Sequence, residues 1–144
     1  APVTVHTMPA KGSLRRAATE QGRTVLLYEA GEALRFEEES IAAGVRGVMR
    51  VMTALGMHRR KPADHTPRTR VVRKTAWIRA RRTGVLRLRA RLGQSVEDGE
   101  TLGLIADAFG SGTTTVRAPS AGVVIGAMKL PLVHQGDAIV HVGA

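Results

Sequence analysis

The sequence predicts an α/β segment, with helices on a parallel or mixed sheet, followed by a small all-β barrel-sandwich domain with an internal pseudo-twofold repeat. Three observations carry this expectation. Apolar residues step by three and four between positions 41 and 55 but by two between 86 and 92. A proline-bearing stretch without periodicity separates the two regions. In the second region, paired motifs recur thirty-seven or thirty-eight residues apart. The organisation expected is therefore an α/β part over residues 1–57, a basic linker over 58–70 and a β domain over 71–144.

The first six residues, "APVTVH", read as a β-strand. In "KGSLRRAATEQG", Ser13 is placed to cap a short helix and Gly22 to end it in a left-handed conformation. Residues 24–29 are a continuous apolar run that delivers an acid, Glu29, and the run is the kind expected of a strand covered on both faces. Next, Ile41, Val45, Val48, Met52 and Leu55 form one helical stripe, with Glu37, Glu38 and Glu39 at the positive end and Gly56 just past the last turn. Strand, helix, strand, helix is an α/β order, but two strands do not make a stable, doubly covered sheet. The remaining strands are expected from sequence before Ala1, and the absence of an initial Met fits a piece of something longer.

Beyond "MHRRKPADHTPRTR" the pattern turns to β. "GVLRLRARLG" alternates, with Leu86, Leu88, Ala90 and Leu92 on one side and Arg87, Arg89 and Arg91 on the other. "RARRTGVL" from Arg79 matches "RAPSAGVV" from Arg117, and "VEDGETL" from Val96 matches "VHQGDAI" from Val133. Two similar β-halves follow, with Gly99 and Gly136 turning before the last strand of each.

Composition narrows the function classes. With 144 residues and 43% hydrophobic content, the chain has room for one ordinary domain or two small ones. No apolar stretch nears the roughly 20 residues that cross a bilayer, and no secretory signal pattern is visible, so a soluble, cytoplasmic protein without a membrane partner is expected. Cysteine is absent, which leaves His, Asp and Glu as the only strong metal ligands. The formal charge of +10 is unevenly spread: residues 1–57 carry seven Lys/Arg against six acids, whereas 65–96 carry ten and none. That tract has Trp77 as its one aromatic and no recognisable nucleic-acid motif, so its arginines read as a solvated strand face and no nucleic-acid partner is expected.

The candidate residues divide by chemistry. His6, His58, His65, His134 and His141 lack any tight ligand spacing, so no metal ligand is assigned within this chain. "GAMKLP" resembles the attachment motif of biotin carriers, whose β-sandwich is the alternative reading: a non-catalytic binding or carrier module on a biotinyl- or lipoyl-like scaffold. In carriers, however, the lysine sits at the junction of the halves, here near "DAFGSGTT", whereas Lys129 falls inside the second half. Glu29 remains. Its plain reading is an acid paired with Arg23 or Arg35; its chemical reading is a proton shuttle, because an apolar approach through Leu26, Leu27 and Tyr28 desolvates a carboxylate and raises its affinity for protons.

"VLLYEAGEALRF", followed by "EEESIAAGVRGVMRVMTALGM", resembles the end of the catalytic domain in the succinylglutamate desuccinylase and aspartoacylase family of zinc-dependent, carboxypeptidase-like hydrolases. The tail "VRAPSAGVVIGAMKLPLVHQGDAIVHVG" is similar to that family's C-terminal β domain. The resemblance spans the whole chain and implies a C-terminal portion. It implies that Glu29 is the general base and that Gly31 lets the chain turn beside the active site. It also implies zinc, held by an upstream His-x-x-Glu pair and a later His, so that this chain alone supplies no metal ligand and is inactive by itself. Zinc lowers the pKa of bound water to about 7. The implied reaction is cleavage of the amide bond of an N-acyl amino acid, the small-molecule partner; homo-oligomerisation stays open. Where aspartoacylase itself places a substrate-binding arginine, this sequence has Lys11-Gly12-Ser13, followed by Arg15 and Arg16.

Overall fold

A computed structural model describes residues 3–59 and 69–144. The linker reading therefore falls largely outside the described residues, as does His65. The chain separates into two units: one comprises residues 8–59 of the described chain, the other residues 3–7 with 69–144.

The first unit holds two helices. Helix α1 spans Leu14–Glu20, and its first turn is closed by Ser13, whose Oγ accepts from the Arg16 backbone N–H at 3.1 Å. Helix α2 spans Glu38–Ala54, with Glu38 and Glu39 in its first turn, where the helix dipole favours negative charge. Both helices end in the same way. Gly22 and Gly56 take φ of +73° and +72°, and the amides of Arg23 and Met57 reach back to the carbonyls of Ala18 and Met52. The cap residues and the stripe read from sequence thus have their expected places.

The apolar run at 24–29 departs from expectation. Among the described residues it pairs with no strand, and Leu26 and Leu27 are 74% and 66% exposed. A strand acquires its ladder and its cover from neighbours, and the described residues offer the run neither. The stripe on α2 is likewise open, and no residue of this unit is buried.

Strand β1, Val3–Val5, does form, but its partner is not the 24–29 run. It pairs in parallel with β2, Arg70–Val72, and belongs with the second unit.

That unit continues through β3 (Thr75–Arg79), β4 (Gly84–Leu88), β5 (Ser95–Val96), β6 (Thr101–Ala106), β7 (Thr113–Arg117), β8 (Gly122–Ala127), β9 (Leu132–Val133) and β10 (Ala138–Gly143). These strands build two antiparallel sheets, ordered β3-β10-β8-β5 and β7-β6-β4-β9. One apolar core joins them: Leu86, Leu102, Ile105, Val116 and Val133 from one sheet meet Val96, Val124, Ile139, Val140 and Val142 from the other. The expected barrel does not close. Each sheet keeps two edges, and β5 and β9, with two residues each, are too short to carry a ladder across to the other sheet.

The alternation read at 84–92 holds as far as Arg91, with Leu88 and Ala90 packed against the core, although β4 itself ends at Leu88. Leu86 is buried and Arg87, Arg89 and Arg91 are exposed, but Leu92 is 57% exposed because the chain has already begun to turn toward Gly93.

The hairpin between β6 and β7 is held by one side chain. Asp107 accepts hydrogen bonds from the backbone N–H groups of Ser111 at 2.9 Å and Phe109 at 3.1 Å, and Arg82 Nη2 lies 3.9 Å away. The Ser111 amide above all holds this carboxyl below its ordinary value of 3.8, with Phe109, Gly112 and Arg82 adding to the effect. A depressed acid contributes stability above its ordinary value and loses it as pH falls through the lowered one. Amide exchange at Phe109 and Ser111 is therefore expected to stay slow near neutral pH, after correction for intrinsic rates, and to accelerate as Asp107 protonates below about pH 4. Asp107→Asn should shift that acceleration to all pH values.

Candidate functional site

Glu29 lies where the 24–29 run meets the turn before α2. The run is tied down by Tyr28, whose hydroxyl donates to the Ser40 backbone carbonyl at 2.8 Å. Its ring passes over Gly44: a Cβ there would stand 2.9 Å from Tyr28 Cε1, so a glycine at this point of α2 admits the aromatic. The turn itself uses Gly31, at φ +88°, and Leu34, a non-glycine residue at φ +65°. Ser40 Oγ donates to Glu37 Oε2 at 3.2 Å, which closes the start of the helix.

Tyr28, Gly31, Arg35, Phe36 and Ile41 line an open hollow of about 220 Å³ beside the acid. Glu29 flanks this hollow without lining it. Its carboxylate is exposed, so the burial expected from its apolar approach is absent in this chain. The plain alternative also changes. Arg35 is matched with Glu32, at 3.7 Å, and among the described residues no ion pair links Glu29 to Arg23 or Arg35. The geometry therefore presents an acid beside a hollow, held close to α2 through Tyr28 and, among the described residues, not ion-paired with a guanidinium.

The other candidates are dispersed. Arg73 Nη1 lies 3.1 Å from His6 Nδ1. His141 stacks on Trp77, with ring centroids 4.3 Å apart and planes 11° from parallel, on strands β10 and β3, whose pairing is not legible from residue type. Lys129 sits between β8 and β9, away from the Asp107 hairpin that joins β6 to β7. Among the described residues no three His, Asp or Glu side chains come together, so those residues do not by themselves fit a zinc ion. No described helix is long and apolar enough to cross a membrane.

No family model matches the sequence, and no curated protein matches it. Solved structures do. The apo structure of the ectoine utilization protein EutE (DoeB) from Ruegeria pomeroyi matches with a TM-score of 0.89 at 22% identity, over 100% of this chain and 47% of that one. A succinylglutamate desuccinylase from Silicibacter sp. TM1040 matches with a TM-score of 0.86 at 19% identity, over 100% of this chain and 45% of that one. A succinylglutamate desuccinylase/aspartoacylase from Rhodobacter sphaeroides matches at 25% identity with a TM-score of 0.67, over 76% of this chain and 36% of that one. The chain thus spans less than half the length of the structures it matches. Its structural neighbours are succinylglutamate desuccinylase/aspartoacylase family proteins, and it has the fold of a portion of them amounting to somewhat under half their length.

Proposed function

We propose that this chain is the C-terminal part of a zinc-dependent hydrolase that cleaves the amide bond of an N-acyl amino acid, with Glu29 as general base. The observation that carries the reading is the whole-chain likeness to a desuccinylase of about twice the length. The open apolar surfaces of the first unit agree with it, since a helix stripe and an unpaired run of this kind are covered in a complete sheet. The exposed carboxylate of Glu29, unengaged by Arg23 or Arg35, is free to take a proton from water attacking the amide carbonyl. The same group then returns the proton to the departing amine. Zinc, which in such hydrolases polarises the carbonyl and acidifies water, would on this reading be held by residues outside this chain; among the described residues no three His, Asp or Glu side chains come together to hold it.

The two β-halves are further read as related by a pseudo-twofold axis. Strands β3 and β4 recur as β7 and β8 at an offset of 38 (75 to 113, 84 to 122), and β5 and β6 as β9 and β10 at 37 (95 to 132, 101 to 138). Under that mapping one sheet order converts into the other. The side-chain bond from Arg117 to the Gly99 carbonyl, 3.0 Å, has its counterpart from Arg79 to Gly136, 2.8 Å.

The hydrolase reading is tested on a protein carrying this chain at the full length of its structural relatives. It is expected to release free amine from N-succinyl or N-acetyl amino acids, to lose that activity on chelation and to regain it with zinc. The 144-residue chain assayed alone should release none. Absence of amine release across a panel of N-acyl amino acids, with zinc bound, would remove the assignment.

A further inference from the structure

We propose that the groove between residues 88–92 and 127–131 is a binding site for a short aliphatic dicarboxylate. The groove has a volume of about 350 Å³ and lies wholly within the β unit. Its lining combines two chemistries. Leu88, Ala90, Ala127 and Met128 provide an apolar floor, while Arg91 and Lys129 line the same groove with exposed cationic side chains. Leu92 and Leu130 complete the walls, 57% and 69% exposed.

The pairing of these residues follows the internal offset. Ala90 and Met128, Arg91 and Lys129, and Leu92 and Leu130 each stand 38 positions apart, the offset that separates β4 from β8 (84 to 122). The backbone follows suit: the Ala90 amide donates to the Leu102 carbonyl at 3.1 Å, and the Met128 amide to the Ile139 carbonyl at 2.8 Å. Each segment thus brings an apolar residue, a cation and a leucine in the same order to a single groove. Among the described residues, neither Arg91 nor Lys129 has an acidic partner.

Charge complementarity selects the occupant. Two cations from two equivalent segments call for an anion at each end of the ligand, and the apolar floor between calls for methylenes rather than further charge. Inorganic phosphate would leave the floor uncovered. A fatty monocarboxylate would leave one cation without a counter-charge. A peptide would bring backbone donors and acceptors that an apolar lining does not satisfy. A short aliphatic chain with a carboxylate at each end meets all three requirements.

The test uses the full chain, isotopically labelled, with glutarate as probe and amide chemical shifts as readout. Glutarate is expected to give saturable shifts at residues 88–92 and 127–131, with a dissociation constant in the low millimolar range or tighter. Neutral glutaramide should give none. Arg91→Gln and Lys129→Gln should each weaken glutarate about tenfold, as expected for loss of one charge-assisted contact. Both positions are exposed, and the glutaramide comparison on the unaltered chain keeps the test independent of how the variants fold. Non-saturating shifts that sodium chloride reproduces at equal ionic strength would overturn the proposal. Butyrate binding as tightly as glutarate would overturn the two-ended ligand, and a glutamate-rich peptide displacing glutarate from the same amides would make the groove a protein-docking surface instead.

Discussion

Gly84→Ala is expected to destabilise the β unit by about 3 kcal/mol, the upper part of the range for forcing an extra carbon into a packed site. Gly84 opens β4, and its Cα faces the backbone of β6 so closely that an added Cβ would overlap the Ala106 carbonyl oxygen and stand 3.1 Å from Ile105 Cγ2. The obstacle is backbone at the end of the β4–β6 ladder, and Ile105, which is completely buried, has no free space to retreat into. The strands must separate, and they take part of the core with them. At Gly122, which opens β8, an added Cβ would stand 2.5 Å from the Gly143 carbonyl oxygen, so Gly122→Ala should cost about as much.

Urea unfolding followed by Trp77 fluorescence measures this effect cleanly. Trp77 is the only tryptophan, it lies on β3 in the β unit, and all buried residues of the described chain lie in that unit as well. In a domain of this size a loss of about 3 kcal/mol corresponds to a fall in Tm of more than about 12 °C. Val85→Ala, one residue along and 38% exposed, should stay within about 1 kcal/mol of the parent. A Gly84→Ala protein as stable as Val85→Ala would mean that β4 and β6 do not approach as described.

Local signals in the sequence carried well into the structure, and non-local ones did not. Ser13, Gly22 and Gly56 act within four residues of themselves, so their caps were legible from spacing alone. Gly84 and Gly122, which the matched motifs share, each open a strand where a neighbouring backbone carbonyl leaves no room for a Cβ, so a small residue is required at both. By contrast, the 24–29 run carries the composition of a covered strand, but cover is a property of neighbours, and the described chain supplies none. Strand β1 was legible as a strand, while its partner, sixty-seven residues away (3 to 70), was not. The stack of Trp77 on His141 and the matching of Arg35 with Glu32 in preference to Glu29 are likewise settled by pairing and turn geometry rather than by residue type. Asp107 had a readable signal, an acid opening a glycine-rich turn, which the carrier-junction reading of the same hairpin obscured.

Glu29→Gln in the protein of full relative length is expected to lower kcat at least about a hundredfold while leaving zinc content and overall stability unchanged. Glutamine matches the shape of glutamate and keeps an oxygen that accepts hydrogen bonds, but it cannot hold the proton that attacking water must release. The loss should fall mainly on kcat rather than KM, because a group that moves a proton acts in the transition state more than in ground-state binding. Stability should be spared because Glu29 is exposed and makes no ion pair among the described residues, so its replacement removes nothing that holds the unit together. The anchor of this segment is Tyr28 against Ser40 and Gly44, and it is left intact by the substitution. Glu32→Gln provides the contrast. That acid lies three residues along, it is matched with Arg35, and its loss should change turnover only a few-fold. Equal turnover of the Glu29→Gln and parent proteins would remove Glu29 from the chemistry and, with it, the link between this chain and amide hydrolysis.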